Sequence, residues 1–541
     1  FTHLRPGREY DGLHQAALCR SKADWLVGIN ATRLFSLLYG CTLNIGRVVS
    51  PTLALVVQRE VEIAAFQPET FYTVELDCGG LTLAGERKPS KKEAQEAAAR
   101  CQGSTATVQA VERREKTEKP PALFDLTTLQ REANRTLGYT AQQTLDYLQA
   151  LYDKKFSTYP RTDSRYLTDD MEAGVPALVE AAASICGVAA PETVLAGQVC
   201  DSARVSDHHA VVPTASAGRA DLEALPIGER EILRLVSLGL LRAVCPPCRS
   251  AETCITALCA GDPYTAKWKE VLSPGWKVHA QTADAEVGTG PDRLTEGQTL
   301  PVAAAKIKTG KTTPPKHHTE DSLLSAMETA GKEDMPEDAE RQGIGTPATR
   351  ATILEKLVSA GFVERKKAKK TVSLLPTPLG TALITVLPEQ LQSPTLTAEW
   401  EHRLKEVERG TLAPGDFMDE IAAMLRELVE TCRPVEGGAV LFPSTRETVG
   451  RCPRCGGTVT EGRKGFFCED RACGFAIWKD SKWWENKKKK PTKSIVAALL
   501  KDGRAQVSGL WSEKTGKTYA ATVLLTDDGM RASFRLEFGH E

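Results

Sequence analysis

The residues best suited to chemistry lie in the stretch Phe156-Ser-Thr-Tyr-Pro-Arg-Thr-Asp-Ser-Arg-Tyr166. Because a proline follows, the backbone of Tyr159 is expected to be extended, so Tyr159 and Arg161, two residues apart, should face the same side. A guanidinium beside a phenol favours the phenolate and can hold a phosphate through two parallel hydrogen bonds. The pair therefore suits attack on a phosphodiester with formation of a tyrosyl phosphate. The alternative is an ordinary Tyr-Pro turn followed by a surface arginine.

Two other stretches have the composition of phosphate-binding helix starts, Asn44-Ile-Gly-Arg-Val-Val-Ser-Pro-Thr52 and Gly343-Ile-Gly-Thr-Pro-Ala-Thr-Arg-Ala351. Each combines glycine N–H groups, hydroxyls and an arginine, which together suit a phosphate. Ordinary capped helix starts are the alternative. In Asp207-His-His-Ala-Val-Val-Pro-Thr214, adjacent histidines cannot share one strand face. One of them is then available for phosphate contact or proton transfer, unless both are structural.

The most specific local pattern is a cysteine quartet near the carboxyl end. Cys452 and Cys455 form one pair, twelve residues separate it from Cys468, and four more precede Cys473. Four thiolates at this spacing predict a tetrahedral zinc site with no open position, so its role should be structural. Aromatic residues around the quartet and four lysines at 487–490 suit single-stranded nucleic acid, by stacking and charge. Packing around a small ribbon explains some of these aromatics equally well.

The bulk composition limits the class of protein. With 541 residues the chain is too long for one core, and its net charge is only −1, so a nucleic-acid surface must come from local clustering. No run of eighteen apolar residues occurs, and no membrane span is expected. Fifteen cysteines without a secretory signal predict metal-bound or buried thiols in a reducing compartment, which points to the cytoplasm.

Helical and strand-like stretches alternate along the chain and set the positions of these motifs. Helical spacing dominates 1–65, 122–215 and 311–432, whereas alternation typical of strands marks 66–118 and 216–310. We expect Thr127 or Thr128 to cap one helix and Thr140 to cap the next. Two charged, proline-bearing stretches are interpreted as a hinge and a link, Arg113–Pro121 and Lys308–His318.

A helix opening at Gly343-Ile-Gly-Thr-Pro is followed by a hairpin-like run, Phe362 to Leu374, with lysines in its turn. A helix followed by a two-stranded wing resembles a winged-helix DNA-binding unit. A solvated lysine turn is the alternative.

Taken together, the motifs resemble the type IA DNA topoisomerases, and most closely their topoisomerase III branch. Ser157-Thr-Tyr-Pro-Arg-Thr-Asp-Ser-Arg-Tyr-Leu167 is similar to the active-site strand of that family. Further blocks match in the same order: Asp24-Trp-Leu-Val-Gly-Ile-Asn30, Gly46-Arg-Val48, His208-His-Ala-Val-Val-Pro-Thr214, Gly343-Ile-Gly-Thr-Pro-Ala-Thr349 and Thr397-Ala-Glu-Trp-Glu401. The resemblance covers residues 1 to about 432.

The resemblance implies a multidomain α+β protein: a toroidal core of helical domains and a β-rich arch, followed by a zinc ribbon and a small β module. The expected parts are, in order, a helical gate domain (1–65), the arch (66–118), the tyrosine domain (119–215), the arch again (216–310), a helical winged-helix-like part (311–432), the ribbon (448–480) and the module (491–541). The interleaving explains why strand-like character occurs twice.

The family's amino-terminal Toprim domain supplies an acidic cluster for Mg²⁺. No Asp-x-Asp-x-Glu pattern occurs in this sequence, and the chain lacks an initiator Met, so we expect an amino-terminally truncated form. Two residues also depart from the Ser and Gln that usually flank the Gly-Arg-Val block, since Asn44 and Val49 stand there. A Val side chain cannot hydrogen-bond a phosphate, which puts that one contact in doubt.

By resemblance, Tyr159 attacks one DNA strand and forms a 5′-phosphotyrosine, Arg161 stabilises the transition state, and religation reverses the cut after strand passage. DNA contacts are predicted for Asn44, Ile45, Gly46, Arg47, Val48, Val49, His208, Thr349 and Arg350. No ATP is expected, because no Gly-x-x-x-x-Gly-Lys-Ser/Thr loop occurs. Single-stranded or underwound DNA is the expected partner of a monomer, with a helicase as a second one. The rival hypothesis is a non-catalytic single-stranded DNA-binding protein.

Overall fold

The computed structural model describes residues 6–280, 294–331, 343–369, 371–442, 447–470 and 472–538. Contacts divide the chain into two compact units. The first comprises Phe1–Leu38 and Thr42–Leu441, and the second comprises Tyr39–Cys41 and Phe442–Glu541. None of the helices in the described ranges is both long and apolar enough to cross a lipid bilayer.

The helices follow in chain order as α1 (Asp11–Tyr39), α2 (Val49–Ala65), α3 (Lys91–Cys101), α4 (Leu126–Leu137), α5 (Ala141–Asp153), α6 (Val175–Cys186), α7 (Ile227–Ala243), α8 (Glu320–Thr329), α9 (Pro347–Ser359), α10 (Pro378–Val386), α11 (Glu389–Gln392), α12 (Thr395–Glu408), α13 (Pro414–Thr431), α14 (Gly438–Leu441), α15 (Lys482–Asn486) and α16 (Lys493–Asp502).

The strands are β1 (Thr70–Asp77), β2 (Thr82–Gly85), β3 (Thr105–Glu118), β4 (Cys248–Cys259), β5 (Asp262–Ser273), β6 (Thr299–Pro301), β7 (Ala304–Lys311), β8 (Val363–Ala368), β9 (Thr371–Pro376), β10 (Thr448–Arg451), β11 (Thr458–Glu461), β12 (Gly465–Cys468), β13 (Ala476–Trp478), β14 (Arg504–Ser512), β15 (Lys517–Asp527) and β16 (Ala532–Glu537).

Two distant parts of the chain build one large sheet. Strands β1 to β7 lie side by side in the order β6-β3-β4-β5-β2-β1-β7, and every pairing between them is antiparallel. Helix α3 packs on one face, where Val74, Leu76, Leu83 and Ala97 are buried together. The sheet is therefore closed on one side by a helix encoded between its own strands.

The predicted hinge at Arg113–Pro121 is wrong for most of its length, because β3 continues to Glu118 and pairs with β4 throughout. The expected link is shorter as well, since Lys308 lies in β7 and pairs with Thr73 of β1. Charged residues tolerate a strand here because this end of β3 is exposed on both faces, and ion pairs such as Arg113–Glu270 cross between strands.

The segment that carries Tyr159 has a helical core of its own. Helices α4, α5 and α7 bury one leucine-rich face each, including Leu129, Leu148 and Leu233. Thr140 caps α5 as predicted, accepting from Gln143 N. The cap of α4 is Asp125, whose carboxylate accepts from Thr128 N at 2.7 Å, because Thr127 and Thr128 already lie inside the helix.

The predicted helix with a two-stranded wing is present. Helix α9 leads into the hairpin of β8 and β9, in which Val363 pairs with Pro376 and Ala368 with Thr371. Lys369, in the turn, has a positive φ of 55°. Within the same unit, α8 and α9 contact helix α2, which joins the two helical stretches of the sequence into one packed body.

The second unit joins a ribbon to a small sheet. Strands β10 to β13 form an antiparallel ribbon, and β14 to β16 form a second antiparallel sheet beside α16. Phe466 and Ile477 of the ribbon share a core with Val496 of α16. Arg454 also donates two hydrogen bonds of 2.6 Å to Asp527 of the sheet. Ribbon and module therefore pack on each other.

Candidate active site and nucleic-acid cleft

Tyr159 lies in an extended segment that is held by the stretch around His208. Thr158 donates its N–H to Val212 O at 3.0 Å, and its hydroxyl donates to Ala210 O at 3.0 Å. The Thr162 hydroxyl donates to His208 O at 2.7 Å. The expected regular strand is reduced to a single bridge between Ser157 and Pro213, because Val211 pairs with Phe124 instead. Two motifs far apart in sequence thus meet along this segment.

The Tyr159 ring is half-buried between two other rings. Its centroid is 4.3 Å from that of the exposed His208 and 5.5 Å from that of Tyr152 on α5. Arg161 is exposed and donates from Nη1 to Gln149 Oε1 at 2.7 Å. Gln149 and Tyr152 are one turn apart on α5, so this helix contacts both members of the predicted pair.

A cleft of about 170 Å³ lies elsewhere in the same unit and gathers four of the motif blocks. Its walls come from the α1 block with Asp24, the Gly-Arg-Val block, the start of α9 and the α12 block with Glu401. The lining residues are Asp24, Arg47, Val48, Gly343, Gly345, Thr346, Thr349, Ile353, Thr397 and Glu401. Residues more than 370 positions apart in sequence therefore share one small space.

Arg47 is the central charged residue of this cleft and is 6% exposed. Its Nε and Nη2 donate to the two carboxylate oxygens of Asp24, at 2.7 and 3.1 Å. The guanidinium also lies over the Trp400 ring, 4.9 Å from its centroid. A bidentate carboxylate and an aromatic face fix the orientation of the group. The Arg47 charge is thereby balanced, so any ligand must be recognised through short-range hydrogen bonds.

Several polar atoms at the cleft have no hydrogen-bond partner among the described residues: Arg47 Nη1, Thr397 Oγ1 and Glu401 Oε1. Their residues are only 2–6% exposed. Arg47 Nη1 lies 3.9 Å from Glu401 Oε1, which is too long for a hydrogen bond. A buried polar atom without a partner costs about 1–3 kcal/mol. A ligand with hydrogen-bonding groups would recover that cost.

The glycines at the start of α9 are required by geometry. Gly343 and Gly345 have φ values of 74° and 71°, and a Cβ on Gly343 would come within 2.3 Å of Met327 O. The turn they form leads to Thr346, which caps α9 in a capping box with Thr349. The positive end of the α9 dipole therefore faces the cleft, whereas the two threonine hydroxyls lie 2.9 Å apart and hydrogen-bond each other within the cap.

The other predicted DNA-contact residues are placed less favourably for a ligand. Ile45 and Val49 are buried at 5% and 7% exposure, so their side chains pack in the interior. The Gly46 N–H, expected to be available for a phosphate, donates to Ser50 Oγ at 3.3 Å. Asn44 is half-buried. These positions shape the approach to α2.

Arg350 is 2% exposed and packs toward the tyrosine-bearing helices rather than toward solvent. Its Nε donates to Ile344 O at 3.3 Å and its Nη1 to Thr127 Oγ1 at 3.1 Å. Asp24, Thr397 and Glu401 were not predicted as site residues, although they stand in the motif blocks of the sequence. A carboxylate is seldom taken as part of a phosphate site, and only the pairing with Arg47 reveals its role.

The four predicted zinc ligands converge in the ribbon of the second unit. The Sγ atoms of Cys452, Cys455, Cys468 and Cys473 all lie within 4.8 Å of one another. The Cys452–Cys473 and Cys455–Cys468 sulfur distances are both 3.5 Å, near the value of about 3.8 Å that a tetrahedron with Zn–S bonds of about 2.3 Å requires. Gly457 N–H donates to Cys455 Sγ and lowers the pKa of that thiol. The donor set fits zinc.

Comparison with known proteins gives concordant matches. A family model described as DNA topoisomerase matches residues 8–419. DNA topoisomerase 3 of Bacillus subtilis (strain 168) is 35% identical over 510 residues, covering 88% of this chain and 68% of that protein. The protein of the same name from Bacillus licheniformis is 33% identical over 504 residues, with the same coverage.

Among solved structures, full-length topoisomerase I from Thermotoga maritima matches with a TM-score of 0.60 at 24% identity, covering 86% of this chain and 75% of that one. At this identity the likeness shows the fold alone. The family match spans both the Tyr159 segment and the cleft.

Proposed function

Because the chain belongs to the type IA DNA topoisomerase family, on its topoisomerase III-like branch, we propose that Tyr159 is the nucleophile that opens one DNA strand. The Tyr159 phenol gives up its proton to solvent as its oxygen attacks the phosphorus and forms the new P–O bond, while the bond from phosphorus to the 3′ oxygen breaks. The 3′ oxygen leaves as a hydroxyl after taking up a proton, and the 5′ phosphate stays on the tyrosine. Religation reverses both bond changes. The phosphodiester energy is retained in the covalent link, so the reaction needs no ATP.

The observation that carries this proposal is the meeting of the Tyr159 and His208 motifs, with ring centroids 4.3 Å apart. An exposed imidazole at that distance is suited to contact the scissile phosphate beside the attacking oxygen. Arg161 keeps four guanidinium N–H groups beyond its bond to Gln149, enough to hold a phosphate oxygen in the transition state.

The cleft around Arg47 is proposed to bind the sugar-phosphate backbone of single-stranded DNA. Arg47 Nη1 and the Thr397 hydroxyl, which have no hydrogen-bond partner among the described residues, offer donors, and the α9 amino terminus adds its dipole. Because Arg47 is paired with Asp24, and Glu401 with Arg20, binding here depends on fit more than on long-range attraction.

The zinc site and the expected Mg²⁺ concern different groups of residues. Four thiolates are suited to hold a structural zinc, which would tie the ribbon strands together without an open position for chemistry. For the expected Mg²⁺, the described residues hold no cluster of carboxylates at metal-binding distance.

The second unit is proposed to add DNA affinity. Residues 442–541 carry 19 Lys and Arg against 12 Asp and Glu, a net +7 in a chain whose total is −1. Exposed Trp478 lies 5.1 Å from the Phe467 ring on the ribbon, and Lys488 lies over Trp511. Aromatic faces with cations suit unpaired bases. A helicase partner, a monomeric state and a cytoplasmic setting stay predictions.

Relaxation of negatively supercoiled plasmid tests the proposal. The full-length protein should relax DNA with Mg²⁺, and Tyr159→Phe should abolish relaxation. Tyr166→Phe should leave relaxation intact, since Tyr166 belongs to the same segment and the hydroxyl that it would lose accepts from Arg204 Nη1. Binding of single strands without any cleavage by the wild type would favour the non-catalytic alternative.

A further inference from the structure

The helices that carry the tyrosine segment meet α8 and α9 at an interface that contains several hydrogen bonds and an ion pair. Each contact joins one residue of α4 or α5 to one residue of α8 or α9. The contacts are Ala141 N to Glu320 Oε2 (2.6 Å), Arg131 Nε to Asp321 Oδ1 (2.8 Å), Asp321 N to Asn134 Oδ1 (3.2 Å) and Arg350 Nη1 to Thr127 Oγ1 (3.1 Å).

Glu320 is the most buried carboxylate of this interface, at 3% exposure. One of its oxygens accepts from Ala141 N, the first residue of α5, and the other accepts from Arg365 Nε at 2.9 Å. Arg365 also bonds Glu355 on its outer side. Glu320 thus links the amino terminus of α5 to α8 and to the wing hairpin with a single side chain.

Helix α5 transmits this contact to the nucleophile. Its amino terminus is bound by Glu320, and its later turns supply Gln149, which holds Arg161, and Tyr152, which packs on Tyr159. Glu320 does not touch the reacting atoms, so it can act only by positioning α5.

The contact is built to be broken reversibly. If α5 moves away, Arg365 remains with Glu320, because both belong to the α8–β8 side, and the carboxylate is not left without a counter-charge. At the Glu320 contact itself, the Ala141 N–H loses its partner, and water can replace that partner at a helix amino terminus. Burial raises the pKa of Glu320, against the opposing effects of Ala141 N–H and Arg365. When α5 lies against α8 and β8, which we call the closed arrangement, the Glu320 carboxylate is therefore poorly hydrated. Separation of α5 would expose this carboxylate to water.

We propose that Glu320 is a gate residue, which holds α5 against α8 and β8 while the DNA strand is joined and releases it when the tyrosine-bearing helices separate for strand passage. The inference rests on the proposed function, since a gate needs a strand cut at Tyr159. Joined DNA requires the closed arrangement, whereas cut DNA is compatible with both. Weakening the contact should therefore shift the DNA toward the cut state.

The test measures the ratio of cut to joined DNA at equilibrium, with the full-length protein, Mg²⁺ and a 5′-labelled single-stranded oligonucleotide quenched with SDS. In Glu320→Gln the amide can accept from one of its two donors but presents N–H groups to the other. The ratio should rise about tenfold, equivalent to about 1.4 kcal/mol. Glu355→Gln is the matched control, because it removes a carboxylate from Arg365 without touching α5, and it should leave the ratio unchanged.

Each outcome decides the matter. A merely structural role for Glu320 would lower cleavage and religation together, so a fall in cut DNA, or an unchanged ratio, would overturn the gate assignment while leaving Tyr159 in place. An equal rise in Glu355→Gln would also overturn it, since the effect would then belong to Arg365. A wild type that forms no covalent complex would overturn the nucleophile assignment, and the gate with it.

Discussion

Substitution of Arg47 is the sharpest probe of the cleft. Arg47→Lys keeps the charge but loses the planar fork that bonds Asp24 and leaves Nη1 for a ligand. A hydrogen bond to a charged group contributes about 1.5–3 kcal/mol. Loss of one such bond to a phosphate should therefore weaken single-stranded DNA binding by about 10- to 100-fold.

Arg47→Gln removes the charge as well, which separates fit from electrostatics. For single strands, log K falls with log salt at about −0.7 per neutralised phosphate. Because Asp24 already pairs with Arg47, the slope should decrease by less than the full value of about 0.7 in Arg47→Gln and stay unchanged in Arg47→Lys. Fluorescence anisotropy with a labelled oligonucleotide at about 50 to 200 mM salt measures both the affinity and the salt slope.

Matched substitutions of Arg33, an exposed arginine on α1, control for the loss of a generic cation. Because Arg47 is buried over Trp400, melting temperatures must accompany the binding data. If folded Arg47→Gln binds with wild-type affinity and wild-type slope, the cleft is not a phosphate site and the assignment fails.

Three further predictions concern other parts of the chain. Metal analysis should find one zinc per chain and none in Cys468→Ser, and full zinc content in the variant would rule out the quartet. Gly345→Ala forces an alanine to φ 71° and places its Cβ 3.4 Å from the Val48 side chain, so the variant should lose about 1–2 kcal/mol in urea unfolding and bind DNA more weakly. Gly361→Ala is the control: it is strained at φ 74° but its Cβ lies in open space, so DNA binding should be unchanged. Burial lowers the pKa of His318 to about 4; the nearby Arg59 charge acts in the same direction and Glu62 opposes it. The unfolded chain therefore takes up the proton first, and the free energy of unfolding should fall as pH drops from about 6.5 to about 4. Unfolding midpoints of wild type and His318→Gln that fall equally over this range would contradict that role.

Local sequence patterns predicted the zinc ligands and one of the helix caps. The cysteine spacing predicted the ribbon ligands, because four thiolates at such intervals have few other uses, and the Thr140 cap followed from side-chain chemistry alone. The β3 strand was misread at Arg113–Glu118, since an exposed two-faced ribbon has no hydrophobic period to detect.

The cleft could not be derived from local patterns. Asp24, Arg47, Gly345 and Glu401 lie far apart in sequence and meet only through the packing of α1, α9 and α12. Arg350 shows the converse, since a helix-start arginine looks available for a phosphate until its burial against α4 is known. The order of the motifs identified the family, but it did not show which side chains stabilise the fold and which remain available to bind a ligand.

The central claim is that Tyr159 becomes covalently bonded to DNA. The direct measurement is mass spectrometry of the protein after SDS quenching of a cleavage reaction and digestion of the DNA and protein. The peptide that spans Phe156–Tyr166 should carry the added nucleotide on Tyr159, attached through a 5′ phosphate, and Tyr159→Phe should carry none. A nucleotide found on Tyr152, Tyr166 or any other residue would contradict the account.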